Sequence, residues 1–200
     1  MKNVIFLLLI TLIICSCIQK AEDYKKNGDI KYNLKDYKGA IEDYTKAIEL
    51  NPKFIKPYFN RGLSKDELKD YKGAIEDFTK AIELRPEYDT AYYNRGNVKY
   101  FSEDYKSAIE DYTKAIEINS KYAYAYNNRA SCKDVLGDYK GAIQDLTKAI
   151  ELDPNDAYYY YDRGNFKHKT NDKGDACLDW KRAIELGCTE AKDTLNKYCK

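Results

Sequence analysis

Asp36 to Leu50 reads DYKGAIEDYTKAIEL, and Asp70 to Leu84 reads DYKGAIEDFTKAIEL. The phrase returns as DYKSAIEDYTKAIEI from Asp104, as DYKGAIQDLTKAIEL from Asp138, and, more loosely, as DKGDACLDWKRAIEL from Asp172. Each start lies 34 residues after the last. A fixed period of this size marks a repeat array, in which each unit shares its apolar face with its neighbours because it cannot bury that face alone.

One full unit, residues 89–122, reads DTAYYNRGNVKYFSEDYKSAIEDYTKAIEINSKY. Ala91, Tyr92 and Gly96 share one helical face in its first half. Tyr105, Ala108, Ile109, Tyr112, Ala115 and Ile116 recur at three- and four-residue spacing in its second. Between them Ser102, Glu103 and Asp104 form a short polar turn, with Ser and Asp suited to capping the helix that follows. Each unit is therefore expected to be a helix, a tight turn and a second helix.

Small residues recur where two helices must cross closely: Gly28, Gly62, Gly96, Ala130 and Gly164, then Ala40, Ala74, Ala108, Ala142 and Ala176, then Ala47, Ala81, Ala115, Ala149 and Ala183. Large partners sit beside them at Tyr44, Phe78, Tyr112, Leu146 and Trp180. Pro52, Pro86 and Pro154 stop the second helix. Ser120 and Cys188 hold that place in the third and fifth units.

This pattern resembles the tetratricopeptide repeat (TPR). The resemblance covers residues 21–190 as five units, 21–54, 55–88, 89–122, 123–156 and 157–190. It implies an all-α, right-handed α-solenoid of helix-turn-helix units, here closed by a C-terminal capping helix at 191–200. The chain departs from the family pattern twice per unit. Arg61, Arg95, Arg129 and Arg163 stand where leucine is common. Lys31, Lys65, Lys99, Lys133 and Lys167 stand where tyrosine is common. Asp43, Asp77, Asp111, Asp145 and Asp179 share the period, so structural Arg–Asp pairs are expected rather than an anion-binding ladder. Asn27 replaces the arginine of the first unit. The period alone leaves open whether each arginine meets the aspartate of its own unit or of the preceding one.

The N-terminus is of another composition. Met1 to Lys20 reads MKNVIFLLLITLIICSCIQK, a positive start and then an uncharged apolar run. This is the anatomy of an export signal, and the run is short for a membrane span, which needs roughly 20 apolar residues. Ile14, Ser16 and Cys17 resemble the lipobox of bacterial lipoproteins. That resemblance implies cleavage after Ser16 (signal peptide 1–16), lipid attachment at Cys17, a short linker at 17–20, and a membrane-anchored place in the bacterial cell envelope. An ordinary signal peptide or an uncleaved anchor is the alternative.

With 34 Lys plus Arg against 33 Asp plus Glu, the chain lacks the basic excess of a nucleic-acid binder. Cys132, Cys177, Cys188 and Cys199 lack the close pairing of a zinc site. A helical hairpin turning near Cys188 brings Cys177 and Cys199 together, and a disulfide between them is expected in an oxidising compartment. His168, the only histidine, is expected on a polar, solvent-facing helix surface. No nucleophile elbow, phosphate loop or metal-binding histidine pair is present, so neither an enzyme nor a cofactor nor a metal site is expected.

The resemblance implies a protein-interaction module, expected as a monomer, whose first helices line a concave groove for a peptide or protein partner. Positions matching that groove include Phe59, Asn60, Tyr93, Asn94, Asn97, Tyr124, Asn128, Tyr158 and Tyr161. Lys25, Asn127 and Asp162 fall in the same registers. Tyrosine offers broad contact at low entropy cost and asparagine can pair with a peptide backbone. The same tyrosines could equally pack between units. The family's carboxylate clamp fits poorly: Lys25 and Asn60 match it, but Asp29, Thr90 and Asn94 do not. A glycan or cell-wall fragment stacking on the tyrosines is the second functional reading.

Overall fold

The computed structural model describes the backbone of residues 2–199 and the side chains of residues 16–199. The export signal and the Ile14 position of the lipobox therefore lie outside the described side chains. Among the described residues eleven helices follow one another: α1 (Lys2–Asn33), α2 (Tyr37–Leu50), α3 (Ile55–Glu67), α4 (Tyr71–Leu84), α5 (Asp89–Phe101), α6 (Tyr105–Ile118), α7 (Ala123–Val135), α8 (Tyr139–Leu152), α9 (Ala157–Lys169), α10 (Lys173–Glu185) and α11 (Glu190–Tyr198). There is no strand among the described residues. Residues 17–20, expected as a linker, are helical and continue without a break into the first repeat helix. No helix of the described residues is long and apolar enough to cross a membrane.

The hairpin turn is built the same way each time. Lys69 takes the left-handed conformation, φ 61°. Its N–H donates to the Asp66 carbonyl at 2.8 Å, and the next N–H, that of Asp70, donates to the Lys65 carbonyl at 2.8 Å. These two bonds satisfy the last carbonyls of α3 in a Schellman arrangement. The Asp70 carboxylate then accepts from the Gly73 N–H at 3.1 Å and caps α4. One aspartate thus closes one helix and opens the next. The pattern recurs with Lys35 and Asp36, Glu103 and Asp104, Gly137 and Asp138, and Asn171 and Asp172.

The chain forms two compact units, Met1–Val98 and Lys99–Lys200. In the first, α1 packs on α2, α2 on α3, and α3 on α4. Its core is Tyr58, Ala81, Ile82 and Ala91 at one level and Ala74, Phe78 and Val98 at another. In the second, consecutive helices pack from α6 through to α11. Leu146, Tyr159 and Phe166 fill one core layer, and Trp180 fills the last beneath α11.

The small-residue positions are set by their neighbours. A Cβ on Gly62 would lie 2.8 Å from Phe78 Cε1, one on Gly28 2.6 Å from Tyr44 Cε1, and one on Gly164 2.7 Å from Trp180 Cδ1. Each of these glycines faces an aromatic ring. Where the partner is the smaller Leu146, the chain carries Ala130 instead, and both are buried in one cluster.

The last helix closes the array as expected. Ala191 is buried on the Trp180 layer, with Leu195 and Cys199 packed against it. Cys177 and Cys199 are joined as a disulfide, their Cα atoms 5.9 Å apart, which ties α10 to the end of α11. Among the described residues Cys17, Cys132 and Cys188 are free thiols.

Candidate functional site

The surface of the first helices is positioned by buried charge. In the Met1–Val98 unit the Arg61 guanidinium donates twice to Asp77, Nε to Oδ2 at 2.9 Å and Nη2 to Oδ1 at 2.6 Å. Lys65 Nζ lies 2.8 Å from the same Oδ2. The remaining arginine nitrogen, Nη1, donates to Thr45 Oγ1 of the preceding repeat at 2.9 Å. In the Lys99–Lys200 unit Arg129 joins Asp145 and Thr113, with Lys133 at 2.7 Å, and Arg163 joins Asp179 and Thr147, with Lys167 at 2.8 Å. These aspartates are 3 to 5 % exposed, so two cations answer each buried carboxylate. The register left open by the period is now resolved for these three arginines. Each holds the aspartate of its own repeat and the threonine of the one before. Arg61, Arg129 and Arg163, with Lys65, Lys133 and Lys167, are therefore taken up in a structural motif rather than presented as an anion ladder. Arg61, Arg129 and Arg163 also lie 5.6 to 5.8 Å from the rings of Tyr58, Tyr126 and Tyr160.

The expected groove residues all lie on first helices, but they differ in availability. In the Met1–Val98 unit Phe59 is half-buried, its ring 5.6 Å from Phe78 and 5.0 Å from Tyr88. Asn60 Nδ2 donates to Asp29 Oδ1 at 2.8 Å. The same oxygen accepts from the Tyr44 hydroxyl at 3.0 Å, and Lys25 Nζ lies 2.5 Å from its twin. Burial, with Asp29 adding, pushes the Tyr44 phenol up. Asn94 donates to the Thr90 carbonyl at 2.7 Å within α5, where Tyr93 and Asn97 are half-buried. In the Lys99–Lys200 unit Tyr124 and Tyr158 stand out at 59 % and 57 % exposed. Tyr161 packs on the Trp180 layer, and Asn128 accepts from Asn127 Nδ2 at 3.3 Å.

A cavity of about 480 Å³ opens in the Lys99–Lys200 unit, with Asp162 on its wall. Burial, with Asp134 and Asp156 adding, pushes the Asp162 carboxyl up to about 6. Lys169 Nζ sits 2.5 Å from Asp134 Oδ1. His168 also lines this cavity, which corrects the expectation of a solvent-facing side chain. Its ring centroid is 4.3 Å from that of Tyr198 and 5.7 Å from that of Trp180, and its Nδ1 is buried without a hydrogen-bond partner among the described residues. The helix α11 covers it, and no local periodicity in α9 carries that information. Ser131, Asn165, Trp180 and Tyr198 also line the space. One signal did mark the place in the sequence. The register that reads Asn60, Asn94 and Asn128 turns to Asp162.

Among the described residues no group of three or more His, Cys, Asp or Glu is placed to hold a metal ion. Cys132 is buried, and that burial pushes its thiol up to about 12, which suits packing rather than nucleophilic chemistry.

Comparison with known proteins supports this architecture. A family profile described as "TPR repeat" matches residues 28–65 and 67–100, and profiles described as "Tetratricopeptide repeat" match 90–122, 123–156 and 146–177. An uncharacterized protein of Methanocaldococcus jannaschii is 45% identical over 47 residues, 24% of this chain and 55% of that protein. The chain thus spans about half the length of the curated relative it matches. Among solved structures, MamA is 27% identical, with a TM-score of 0.78 over 82% of this chain and 96% of that one. MamA from Desulfovibrio magneticus is 23% identical, with a TM-score of 0.78 over 84% and 94%. YrrB, described as a TPR protein with an unusual peptide-binding site, is 22% identical, with a TM-score of 0.76 over 86% and 90%. With profiles matched between residue 28 and residue 177, this chain belongs to the tetratricopeptide repeat family.

Proposed function

We propose that this protein is a non-enzymatic scaffold that holds a segment of a protein partner on the surface of its first helices. A lipid on Cys17 keeps it at a membrane of the bacterial cell envelope. The observation that carries the scaffold reading is the division of labour along the first helices. The arginines and lysines are consumed in buried pairs. The same helices leave Tyr124 and Tyr158 more than half exposed at equivalent positions, with Asn128 between them in sequence. Tyrosine and asparagine together suit an extended chain, by ring contact and by pairing with its amides. The unusual peptide-binding site of YrrB is in keeping with this use of the fold. The lipid anchor rests on Ile14, Ser16 and Cys17 and on the apolar run before them.

The test is affinity capture from native envelope extract on the immobilised chain, beside a column carrying Tyr124→Ala and Tyr158→Ala. One dominant protein that is lost on the second column supports the scaffold. Absence of any protein from both columns overturns it. The exposed tyrosine pair also favours a second reading, a glycan stacked on those rings. Retention of cell-wall fragments on the first column alone, with no protein, selects that reading. Metabolic labelling with a fatty acid, compared between the chain and Cys17→Ser, tests the anchor separately.

A further inference from the structure

We propose that the cavity of the Lys99–Lys200 unit is a receptor for one cationic side chain, the ammonium of a lysine or the guanidinium of an arginine, carried by the bound protein segment. The inference rests on the scaffold reading above and adds the chemistry of the partner.

Asp134 is neutralised by Lys169 at 2.5 Å, and that lysine also lies over the Phe166 ring. Asp162 is different. It is half-buried at the cavity wall and has no hydrogen bond or ion pair among the described residues. The cavity therefore holds one uncompensated carboxylate. Such a group is costly while its site stays empty, and burial together with Asp134 and Asp156 pushes it up to about 6. An incoming cation would relieve that cost.

The walls suit such a cation. His168, Trp180 and Tyr198 form a contiguous ring surface, with centroids 4.3, 5.7 and 6.0 Å apart. Aromatic faces attract an organic cation through the ring quadrupole, and a guanidinium, being weakly hydrated, most readily. A volume of about 480 Å³ admits a lysine or arginine side chain.

At the equivalent place in the first repeats, Asn60 reaches Asp29, whose carboxylate is already held by the Tyr44 hydroxyl and Lys25. That carboxylate is satisfied from within the protein. The register changes from asparagine to aspartate at residue 162, where the space is larger and the carboxylate is left without an internal donor.

Trp180 is the only tryptophan in the chain and lines the cavity, so its fluorescence reports on this site. The purified full-length chain would be titrated at pH 7.5 with blocked glycine pentapeptides bearing a central lysine, arginine, glutamine or glutamate. The expected result is a saturable indole response to the lysine and arginine peptides only. Asp162→Asn, which installs the residue that the second to fourth repeats carry there, should weaken that response at least tenfold, and Glu83→Gln, at an exposed ion pair away from the cavity, should leave it unchanged. Equal responses to glutamine and lysine, an Asp162→Asn variant that binds like the parent, or no response to any peptide would overturn the proposal. The two readings fail separately. A partner captured equally by the parent and Asp162→Asn keeps the scaffold and removes the cation site. A lysine peptide that binds a chain capturing no protein does the reverse.

Discussion

Arg61 and Asp77 meet through two parallel hydrogen bonds, of 2.9 and 2.6 Å, between a first helix and the second helix of the same repeat. The geometry is bidentate, with Lys65 closing on one carboxylate oxygen and Thr45 on the third guanidinium nitrogen. Two helices of one hairpin and one helix of its predecessor are thereby fixed through a single planar group.

Removing the carboxylate from this arrangement strands two cations in a largely buried place. Asp77→Asn should therefore cost about 3 to 5 kcal/mol in urea unfolding. Asp43 is gripped by Lys31 at 2.7 Å and has Asn27 where an arginine would stand, so Asp43→Asn should cost distinctly less. Glu83→Gln, which breaks the exposed pair with Lys80, should not measurably shift the transition. Equal costs for Asp77→Asn and Asp43→Asn would refute the role given to the arginine.

The match between glycine and aromatic partner predicts a compensating pair. Gly62→Ala alone places a Cβ 2.8 Å from the Phe78 ring and should destabilise by about 1 to 3 kcal/mol. Combined with Phe78→Leu, it recreates the Ala130 and Leu146 pairing. A double-mutant cycle should then show a favourable coupling of about 1 kcal/mol or more. Simple additivity would mean that the ring does not select the glycine.

Four of the five hairpin turns place a side chain in the left-handed region, at Lys35, Lys69, Glu103 and Asn171, and only Gly137 takes it with no side chain to strain. Lys69→Gly should raise stability by roughly 0.5 to 1 kcal/mol, and Gly137→Ala should lower it by a similar amount. Chemical denaturation of the two variants checks both signs together.

Asp162 gives stability a defined pH dependence. The folded chain keeps its proton up to about pH 6, while the unfolded chain releases it near pH 4. Its stabilising contribution is complete below the unfolded value and is lost as pH rises through 6. Asp162→Asn should thus exceed the parent by about 1 to 2 kcal/mol at pH 7.5, after allowance for screening, and the gap should close toward pH 4. Urea curves at several pH values measure it. A gap that stays constant with pH would exclude the ionisation of Asp162 as its origin.

The Cys177–Cys199 bond closes a segment with a sequence separation of 22, and chain-entropy arguments assign such a loop about 3 kcal/mol. Reduction, or Cys199→Ser, should lower the melting temperature and raise hydrogen exchange in α11 before the rest of the Lys99–Lys200 unit. Loss of protection beginning instead at α6 would show that the last helix is held by its packing alone.

The hairpins, their caps and the closing helix were legible in the sequence because each follows from local spacing. The 34-residue period, the Asp at each turn and the alternation of small and large residues are all visible within one unit. The arginine register was not legible, since a strict period makes an aspartate of the same repeat and one of the preceding repeat equally available on paper. His168 was misplaced for a different reason. Its surroundings, Trp180 and Tyr198, come from two other helices and depend on how α11 lies back over α9 and α10. Among the groove residues, the family resemblance named positions on the first helices but could not separate Phe59, drawn inward by Phe78 and Tyr88, from the outward Tyr124 and Tyr158.

The aspartate that both closes one helix and opens the next leaves the turn no spare residue. Inserting or deleting a single amino acid there would rotate the following helix by about 100° and turn its apolar stripe away from its neighbours. A whole unit, by contrast, can be copied or lost with every junction kept intact. The array can therefore lengthen or shorten over generations only in complete steps, and the four near-identical phrases and the looser fifth are what growth by such steps would leave behind.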